Sequence, residues 1–560
     1  MQNDIDRALS ILKKHWGYDE FRPLQKKIIE AVFSQSNVLG IMATGGGKSL
    51  CFQIPALMAE GLTWVISPLI SLMKDQVERL NEVGIRAIRL TSDIPSYIQQ
   101  QELEELKKHN NGLVYISPEK LKRSDIMKFW RDYPPAYVVV DEAHCISLWG
   151  HDFRPDYYQL GARLNQLRHG PVLAFTATAS PTVREEIISV LGGSNWESII
   201  GSFVRENIRL HTYYGSGKVE KFNELMKTVK TPMIVFANSR ARVEKTAAYM
   251  AENFTADVAA FHAGLESHRK TQLQNMFLND ELEVLVATSA FGMGVDKSNI
   301  RTIIHLDLAP TVDAFYQEMG RAGRDGEEAD HYLLQTEFDV DNLTRRILNK
   351  FPELETARSW WKELNQTGYN RLAKDADPKQ LQTTMEHWWV SDLIRFEKTE
   401  KDWLIFKLRD NFEEAWNKLE AFKTETLKRF YFLEKYVHVD FCRMQYLVNY
   451  FDEKAEPCGK CDVCLNPVEK GASEYHSAAD RALLRKILEV DGQYKLKALA
   501  RHLILNPSEK SILLKDTSIK PLPDLIEDLH RLTGSNLIRA PRLAGFNVFL
   551  TGKGRYLIDN

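Results

Sequence analysis

Long apolar runs and an excess of one charge are both missing from this 560-residue chain. No stretch of eighteen consecutive apolar residues occurs, so no transmembrane helix is expected. The first ten residues, MQNDIDRALS, lack the basic and apolar regions of a secretory signal, which predicts a cytoplasmic protein without a membrane partner. The net charge of −3 argues against a general polyanion-coating protein, although it is compatible with a motor whose strand contacts lie on one face.

Cysteine is also scarce, with six residues in the whole chain. Cys51 and Cys145 stand alone, whereas the other four form a cluster with CxxCxxC spacing at its end: Cys442, Cys458, Cys461 and Cys464. In a cytoplasmic protein such a cluster predicts a metal site rather than disulfides. Four thiolates with no open position favour structural Zn²⁺, with an iron–sulfur cluster as the alternative and four free thiols as the least favoured interpretation.

What the chain does contain is two successive stretches in which short apolar runs alternate with helical patterns. This alternation predicts an α/β fold with two tandem parallel-sheet lobes, 1–205 and 206–340. Strands are expected at Val38–Ala43, Trp64–Ser67, Val114–Ser117, Tyr137–Val140 and Val172–Thr176 in the first lobe, and at Met233–Ala237, Val258–His262, Val284–Thr288 and Thr302–Leu306 in the second.

The sequence pattern changes after residue 340. Residues 341–425 are rich in Trp and charge and predict a helical or winged-type insertion of open role, and residues 426–470 predict a helical hairpin with the zinc-binding module. In 477–560, helices followed by short strands near Leu537–Arg539 and Asn547–Leu550 predict a winged helix. The last thirty residues carry five Arg or Lys against one Asp, a local charge of +4 that favours nucleic-acid contact.

Residues 43–49 have the composition of a phosphate-binding loop: Ala43, Thr44, Gly45, Gly46, Gly47, Lys48 and Ser49. Three glycines let backbone N–H groups turn toward phosphate oxygens between an apolar strand and a helix. Lys48 can reach the β- and γ-phosphates, and the Ser49 hydroxyl can ligate Mg²⁺. Met42 departs from the strict pattern, which has Gly at that position.

Two charged motifs complete the predicted hydrolytic site. Asp141 and Glu142 follow an apolar strand, where Asp141 would hold Mg²⁺ and Glu142 would position and deprotonate the attacking water. Arg321 and Arg324 lie one helical turn apart in the second lobe and can direct their guanidinium groups at the γ-phosphate. Each motif alone is more often a solvated surface feature, and it is their combination with the phosphate loop that predicts catalysis.

The order and spacing of these motifs resemble the RecQ family of superfamily 2 DNA helicases. The resemblance also rests on residues 21–25, 175–179 and 290–296, and it covers residues 15–330 nearly continuously. It implies two RecA-like lobes, ATP as the nucleotide, and an adenine motif in which Gln25 reads the base edge while Tyr18 and Arg22 stack on the ring. Leu24 stands where the family usually has Gly, a change that should not alter base reading. The cysteine segment likewise resembles the RecQ zinc module.

Residues 146–158, called here the aromatic loop, interleave aromatic residues with Arg and His. They resemble the aromatic-rich loop of the family, in which Trp149 and Phe153 would stack on bases, each worth ~1–3 kcal/mol. His151 and Arg154 are further candidates for strand contact or coupling, with Arg154 able to touch a phosphate or a carboxylate of the other lobe. An ordinary hydrophobic anchor is the alternative interpretation. Leu148 replaces a residue that is commonly polar in the family.

The predicted wing supplies the last candidates. Arg542 and Phe546 flank the turn 543–545, where an apolar tip would wedge between base pairs while the arginine holds a phosphate. Phe546 is equally compatible with the core of a small β-ribbon.

These features predict an ATP-dependent DNA helicase, and the resemblance implies movement in the 3′-to-5′ direction and a role in DNA repair or recombination. The expected partners are single-stranded and forked DNA, with a single-strand DNA-binding protein as a candidate, and the expected state is a monomer, nucleoid-associated if the source is bacterial. An RNA helicase or remodeller is the alternative. A binding module with a decayed motor is least favoured because the residues of the hydrolytic site are intact.

Overall fold

The computed structural model describes residues 2–109, 111–150, 153–289, 291, 297–364, 376–398, 403–466, 487, 538–539 and 549–550. The first lobe is built on a seven-stranded parallel sheet in the order β3-β4-β2-β5-β6-β1-β7. Its elements are α1 (Gln2–Trp16), α2 (Pro23–Phe33), β1 (Asn37–Ile41), α3 (Leu50–Met58), β2 (Gly61–Ile66), α4 (Ile70–Glu82), β3 (Ala87–Leu90), α5 (Ser96–Lys107), β4 (Asn111–Ile116), α6 (Ser124–Asp132), β5 (Tyr137–Val140), α7 (Pro155–Tyr158), α8 (Leu160–Leu164), β6 (Val172–Thr176), α9 (Pro181–Leu191) and β7 (Trp196–Ile200).

Alternating side chains along these strands enter two separate apolar cores. Leu39 and Ile41 of β1 belong to one core, whereas Val38 belongs to the other. Because successive side chains of a strand point to opposite faces, this division shows that both faces of the sheet are covered. The near-continuous apolar runs of the central strands are the sequence counterpart of that burial.

The second lobe repeats the plan with six parallel strands in the order β10-β11-β9-β12-β13-β8. Its elements are β8 (Ile208–Tyr214), α10 (Lys218–Leu225), β9 (Met233–Phe236), α11 (Arg240–Asn253), β10 (Val258–Phe261), α12 (Ser267–Leu278), β11 (Val284–Ala287), β12 (Thr302–His305), α13 (Val312–Met319) and β13 (Ala329–Gln335). All strands expected from the sequence are present in the two lobes. Four that were not expected, β3, β7, β8 and β13, complete the sheets.

The remaining elements follow the second lobe. They are α14 (Glu337–Leu348), α15 (Leu354–Glu363), α16 (Pro378–Val390), the antiparallel pair β14 (Ile394–Lys398) and β15 (Trp403–Lys407), α17 (Phe412–Tyr436), α18 (Arg443–Asn449), α19 (Asp462–Leu465), and the antiparallel pair β16 (Ile538–Arg539) and β17 (Phe549–Leu550). Residues 341–425, predicted as a helical or winged-type insertion, contain helices and one antiparallel strand pair around a core that includes Trp360, Trp361 and Trp388.

The long helix α17 connects the parts of the protein. It packs against α13 of the second lobe, against α14, α15 and α16, and against α18 of the cysteine-bearing segment. The β16–β17 pair coincides with the two strands expected near the C-terminus, whereas Arg542 and Phe546 lie outside the described residues. Within the described part of the chain, none of the helices has the combination of length and apolarity that crossing a membrane requires.

Candidate nucleotide cleft and metal centre

The phosphate loop connects β1 to α3 in the first lobe. Gly45 and Gly47 both adopt φ of +80°, a conformation that side chains with a Cβ rarely take. A Cβ on Gly47 would also lie 2.3 Å from Nε2 of Gln25, so the Gln25 side chain would have to move. Lys48 directs its Nζ to within 3.5 Å of the Met42 carbonyl oxygen. The loop therefore has the glycine-dependent curl and the lysine that phosphate binding requires.

Two residues of the expected adenine motif contact this loop. The Gln25 side-chain amide donates to the carbonyl oxygens of Gly46 and Gly47, each at 3.3 Å, and its Oε1 accepts from the Arg22 backbone N–H at 3.0 Å. The Arg22 guanidinium donates to the Gly45 carbonyl oxygen at 3.0 Å. Tyr18 is 59% exposed. Reading an adenine edge would require the Gln25 amide to exchange these bonds for contacts with the base, so base recognition stays a prediction.

Asp141 and Glu142 follow β5 at the carboxyl edge of the same sheet. Asp141 accepts the Glu142 backbone N–H at 3.0 Å through Oδ1 and the Ser67 hydroxyl at 3.5 Å through Oδ2. Burial and the neighbouring Glu142 carboxylate raise the pKa of Asp141 to about 7, against the opposing charge of Lys48. A divalent cation would relieve both causes. Glu142 has a left-handed backbone with φ of +48°, a strained conformation that occurs preferentially at functional sites.

Ser67 directly follows β2. It is buried, and its hydroxyl donates to Oδ2 of Asp141. Ser67 therefore belongs to the nucleotide cleft.

The second lobe contributes Arg321 and Arg324 to this cleft. A Cβ on Gly45 would lie 3.5 Å from Cδ of Arg324, so the Arg324 side chain packs directly against the phosphate loop. Burial and the like charge of Arg324 lower the pKa of Arg321 to about 9. A phosphate placed between the lobes would offset both effects. The predicted catalytic residues and the predicted Mg²⁺ ligand Ser49 thus line one shared cleft: Lys48, Ser49, Asp141, Glu142, Arg321 and Arg324.

Three residues that support the cleft were not singled out from the sequence. The Arg205 guanidinium donates to the carbonyl oxygens of Gly320 and Ala322, both at 2.9 Å, and Asn207 donates to the Gly323 carbonyl oxygen at 2.7 Å. These bonds fix the turn that carries the arginines. Gln317 donates to the Thr178 hydroxyl at 3.1 Å, a direct bond between the lobes. Lone side chains that bind backbone carbonyls leave no periodic signal in a sequence, so nothing marked Arg205 or Asn207.

The aromatic loop lies against α17. The Trp149 ring is 4.8 Å from that of Phe422, and the guanidinium of Arg429 lies 4.5 Å above it. Phe153 contacts Tyr158 with ring centroids 6.3 Å apart, and Arg154 donates to the Pro68 carbonyl oxygen at 2.7 Å. His151 lies outside the described residues. The loop is thus anchored to the C-terminal region, and its contact with bases stays a prediction.

The four clustered cysteines converge on one point. Their Sγ atoms all lie within 4.8 Å of one another, while thiolates around one tetrahedral Zn²⁺ at ~2.3 Å are about 3.8 Å apart. Backbone N–H groups of Cys458 and Cys464 donate to the sulfurs of Cys442, at 3.1 Å, and Cys461, at 3.4 Å. The donor set and its spacing fit a single tetrahedral metal ion.

Family models match three consecutive parts of the chain. Residues 22–187 match the DEAD/DEAH box helicase model, residues 217–326 match the helicase conserved C-terminal domain, and residues 398–465 match the RecQ zinc-binding model. The last match makes the cysteine cluster a zinc site and disfavours the iron–sulfur alternative. Two RecA-like lobes that close one nucleotide cleft, followed by this zinc module, define a helicase-type, nucleotide-driven motor.

Curated relatives identify the family. The ATP-dependent DNA helicase RecQ of Pasteurella multocida is 36% identical over 468 residues, which is 82% of this chain and 62% of that protein. The probable ATP-dependent DNA helicase RecS of Bacillus subtilis is 33% identical over 477 residues, which is 82% of this chain and 92% of that protein. The chain belongs to the RecQ family of ATP-dependent DNA helicases.

The chain covers less than two thirds of the length of two of its RecQ relatives. The chain spans 62% of the Pasteurella protein and 64% of the RecQ of Haemophilus influenzae, to which it is 36% identical over 468 residues, or 83% of this chain. Among solved structures, the DUF1998 helicase MrfA bound to DNA superposes with a TM-score of 0.50 at 17% identity, covering 74% of this chain and 64% of that one. At that identity the likeness shows the fold alone.

Proposed function

We propose that this protein uses ATP hydrolysis to move 3′ to 5′ along single-stranded DNA and to unwind duplex or branched DNA, in repair or recombination. The observation that carries the proposal is the single cleft in which the phosphate loop and acids of one lobe face the arginines of the other. The RecQ relatives, which carry the name of DNA helicases, support DNA rather than RNA as the track.

In this proposal each cleft residue has a role. Lys48 neutralises the β- and γ-phosphates, and Glu142 orients the attacking water and takes its proton. Ser49 and Asp141 would hold Mg²⁺, which would supply charge neutralisation at the phosphates. Arg321 and Arg324 stabilise the charge that develops on the γ-phosphoryl oxygens. Arg22, Gln25 and Tyr18 would recognise adenine.

Motion follows from the division of the site between lobes. Bound ATP attracts the arginines toward the phosphate loop and closes the cleft, and hydrolysis releases that attraction. Contacts with the strand backbone, which carry no base information, would grip and release in turn. The proposed strand contacts of the first lobe are Trp149, His151, Phe153 and Arg154. Those of the predicted wing are Arg542 and Phe546. Such a motor would work as a monomer in the cytoplasm, and in a bacterium it would be associated with the nucleoid. Its DNA strands would also be bound by single-strand DNA-binding protein.

A substrate panel tests the proposal. ATP hydrolysis is measured alone and with single-stranded DNA or RNA, and unwinding is measured on 3′-tailed, 5′-tailed, forked, four-way and RNA duplexes. We expect stimulation by DNA and unwinding of 3′-tailed and branched DNA. Stimulation by RNA alone would overturn DNA as the track, and unwinding only from 5′ tails would overturn the direction.

A further inference from the structure

Arg429 of α17 lies at a junction of three parts of the protein. Its side chain is 11% exposed. Its guanidinium covers the Trp149 ring at 4.5 Å and donates to the Trp149 carbonyl oxygen at 3.4 Å, so it holds the aromatic loop of the first lobe by both ring and backbone. The same nitrogen lies 3.5 Å from the hydroxyl oxygen of Tyr450, directly after α18. One side chain therefore contacts the aromatic loop and the zinc module together.

Tyr450 extends this junction into the second lobe. Its hydroxyl donates at 3.1 Å to Oδ2 of Asp313, which is only 2% exposed and lies in the first turn of α13. Asp313 is thus a buried carboxylate of α13. This helix ends at Met319, and Arg321 follows two residues later. The Arg321 backbone N–H is bonded to the carbonyl oxygen of Glu318 in that helix, at 3.3 Å, so displacement of α13 carries the arginine with it.

We propose that Arg429, Tyr450 and Asp313 are positioning residues that couple the aromatic loop to the arginine-bearing helix α13. A strand that stacks on Trp149 competes with Arg429 for its ring and carbonyl oxygen. The released guanidinium changes its contact with Tyr450, and the Tyr450 hydroxyl in turn changes its bond to Asp313. Because Asp313 lies in α13, this alters the angle at which Arg321 faces the nucleotide. Strand binding to the aromatic loop therefore changes the geometry of the nucleotide cleft through the zinc module. The inference rests on the proposed function, since it requires DNA-stimulated hydrolysis.

The test is Tyr450→Phe, which removes one hydroxyl and retains the ring that packs on Phe432 and Phe451. Tyr446→Phe is the matched control, because its hydroxyl donates at 2.8 Å to the Phe432 carbonyl oxygen of α17. For each full-length protein, the hydrolysis rate, the KM for ATP and the Kd for an oligo-dT strand are measured with and without that strand, together with zinc content and unfolding temperature.

We expect Tyr450→Phe to lower the DNA-stimulated kcat by about five- to tenfold, while the rate without DNA, the KM and the Kd stay within about twofold. Arg429→Lys, which keeps the charge but loses the planar stack, should show the same fall in DNA-stimulated kcat and carries the test if Tyr450→Phe loses zinc. Equal stimulation in variants and wild type would overturn the coupling and leave the helicase proposal intact. A parallel fall in both rates, or the same loss in Tyr446→Phe, would show a structural role and overturn it too. A wild type without any DNA stimulation would remove both proposals.

Discussion

The nucleotide cleft and the zinc centre both bring charged groups close together, but they are assembled in opposite ways. The zinc ligands come from one segment, residues 442–464, and converge within 4.8 Å of one another. The cleft takes its acids from the first lobe and its arginines from the second, nearly two hundred residues along the chain. A site formed by one segment can hold its ion independently of lobe movement. A site divided between two lobes is complete only when the lobes are closed.

The two sites should therefore respond differently to substitution. Loss of a zinc ligand should lower stability first and activity as a consequence. In the cleft, the pKa of Asp141 is raised and that of Arg321 is lowered, so both groups are unfavourable for the folded state in their charged forms. Substitutions in the cleft should therefore lower activity without lowering stability, as is common where an active site is maintained against folding stability.

The largest effect is expected from Arg324→Ala, which removes the guanidinium that packs on the phosphate loop. Arginines in this role contribute about a thousandfold or more to phosphoryl transfer, and we expect a loss of that order in DNA-stimulated kcat. Nucleotide affinity and unfolding temperature should change little. The control is Arg269→Ala on the exposed face of α12. A kcat within tenfold of wild type would mean that the second lobe does not complete the site.

Lys48→Ala tests the first lobe in the same way. We expect a loss of about a hundred- to a thousandfold in DNA-stimulated hydrolysis, because the charge on the β- and γ-phosphates is no longer neutralised. Lys26→Ala, an exposed lysine of α2, is the control. Wild-type hydrolysis in Lys48→Ala would refute the nucleotide assignment.

Cys458→Ser tests the opposite side of the comparison. We expect loss of bound zinc and about 3 kcal/mol lower stability of the C-terminal module, since a hard hydroxyl replaces one of four soft ligands. Zinc content by atomic emission and calorimetric unfolding measure this. Glu456→Ala, an exposed neighbour, should keep both. If Cys458→Ser keeps its zinc and its unfolding temperature, the centre is not a closed four-cysteine site.

The accuracy of sequence prediction also differs between regions, and for physical reasons. Buried central strands such as β1 and β5 are continuous apolar runs and were all expected. Three of the missed strands, β3, β7 and β8, lie at sheet edges, and the fourth, β13, pairs with β8. Their sequences interrupt apolar residues with polar ones, as in Ile208–Tyr214, because one side of an edge strand meets solvent or another module.

In the cleft, the residues with conspicuous chemistry were predictable and their supports were not. A Gly-rich loop, an acidic pair after a strand and two arginines at helical spacing each follow from what phosphate chemistry requires. The bonds of Arg205 to backbone carbonyls, and the position of Arg429 between Trp149 and Tyr450, arise from tertiary contacts between distant segments. No local pattern encodes them.

Asp141→Asn should separate stability from activity most directly. The folded-state pKa of about 7 lies above the unfolded value near 4, so the folded protein retains a proton that the unfolded chain loses, and stability falls as pH rises between these values. Removing the charge should therefore stabilise the nucleotide-free protein by about 1–3 kcal/mol near pH 8 and much less near pH 4, while the hydrolysis rate falls. Unfolding temperatures measured across this range check the sign. A variant less stable than wild type near pH 8 would contradict it.

The smallest effect is expected from Gln317→Ala. This variant tests whether a direct hydrogen bond between the lobes contributes to closure of the cleft. Gln317 lines the cleft, and its bond to the Thr178 hydroxyl joins the two lobes at 3.1 Å. Its loss should lower DNA-stimulated kcat by about fivefold, the effect of one net hydrogen bond, with stability nearly unchanged. Thr178→Val removes the same bond from the other lobe, and the double variant should be no worse than either single variant. Additive losses would mean that the two side chains act separately, and that closure of the cleft is governed by the arginines alone.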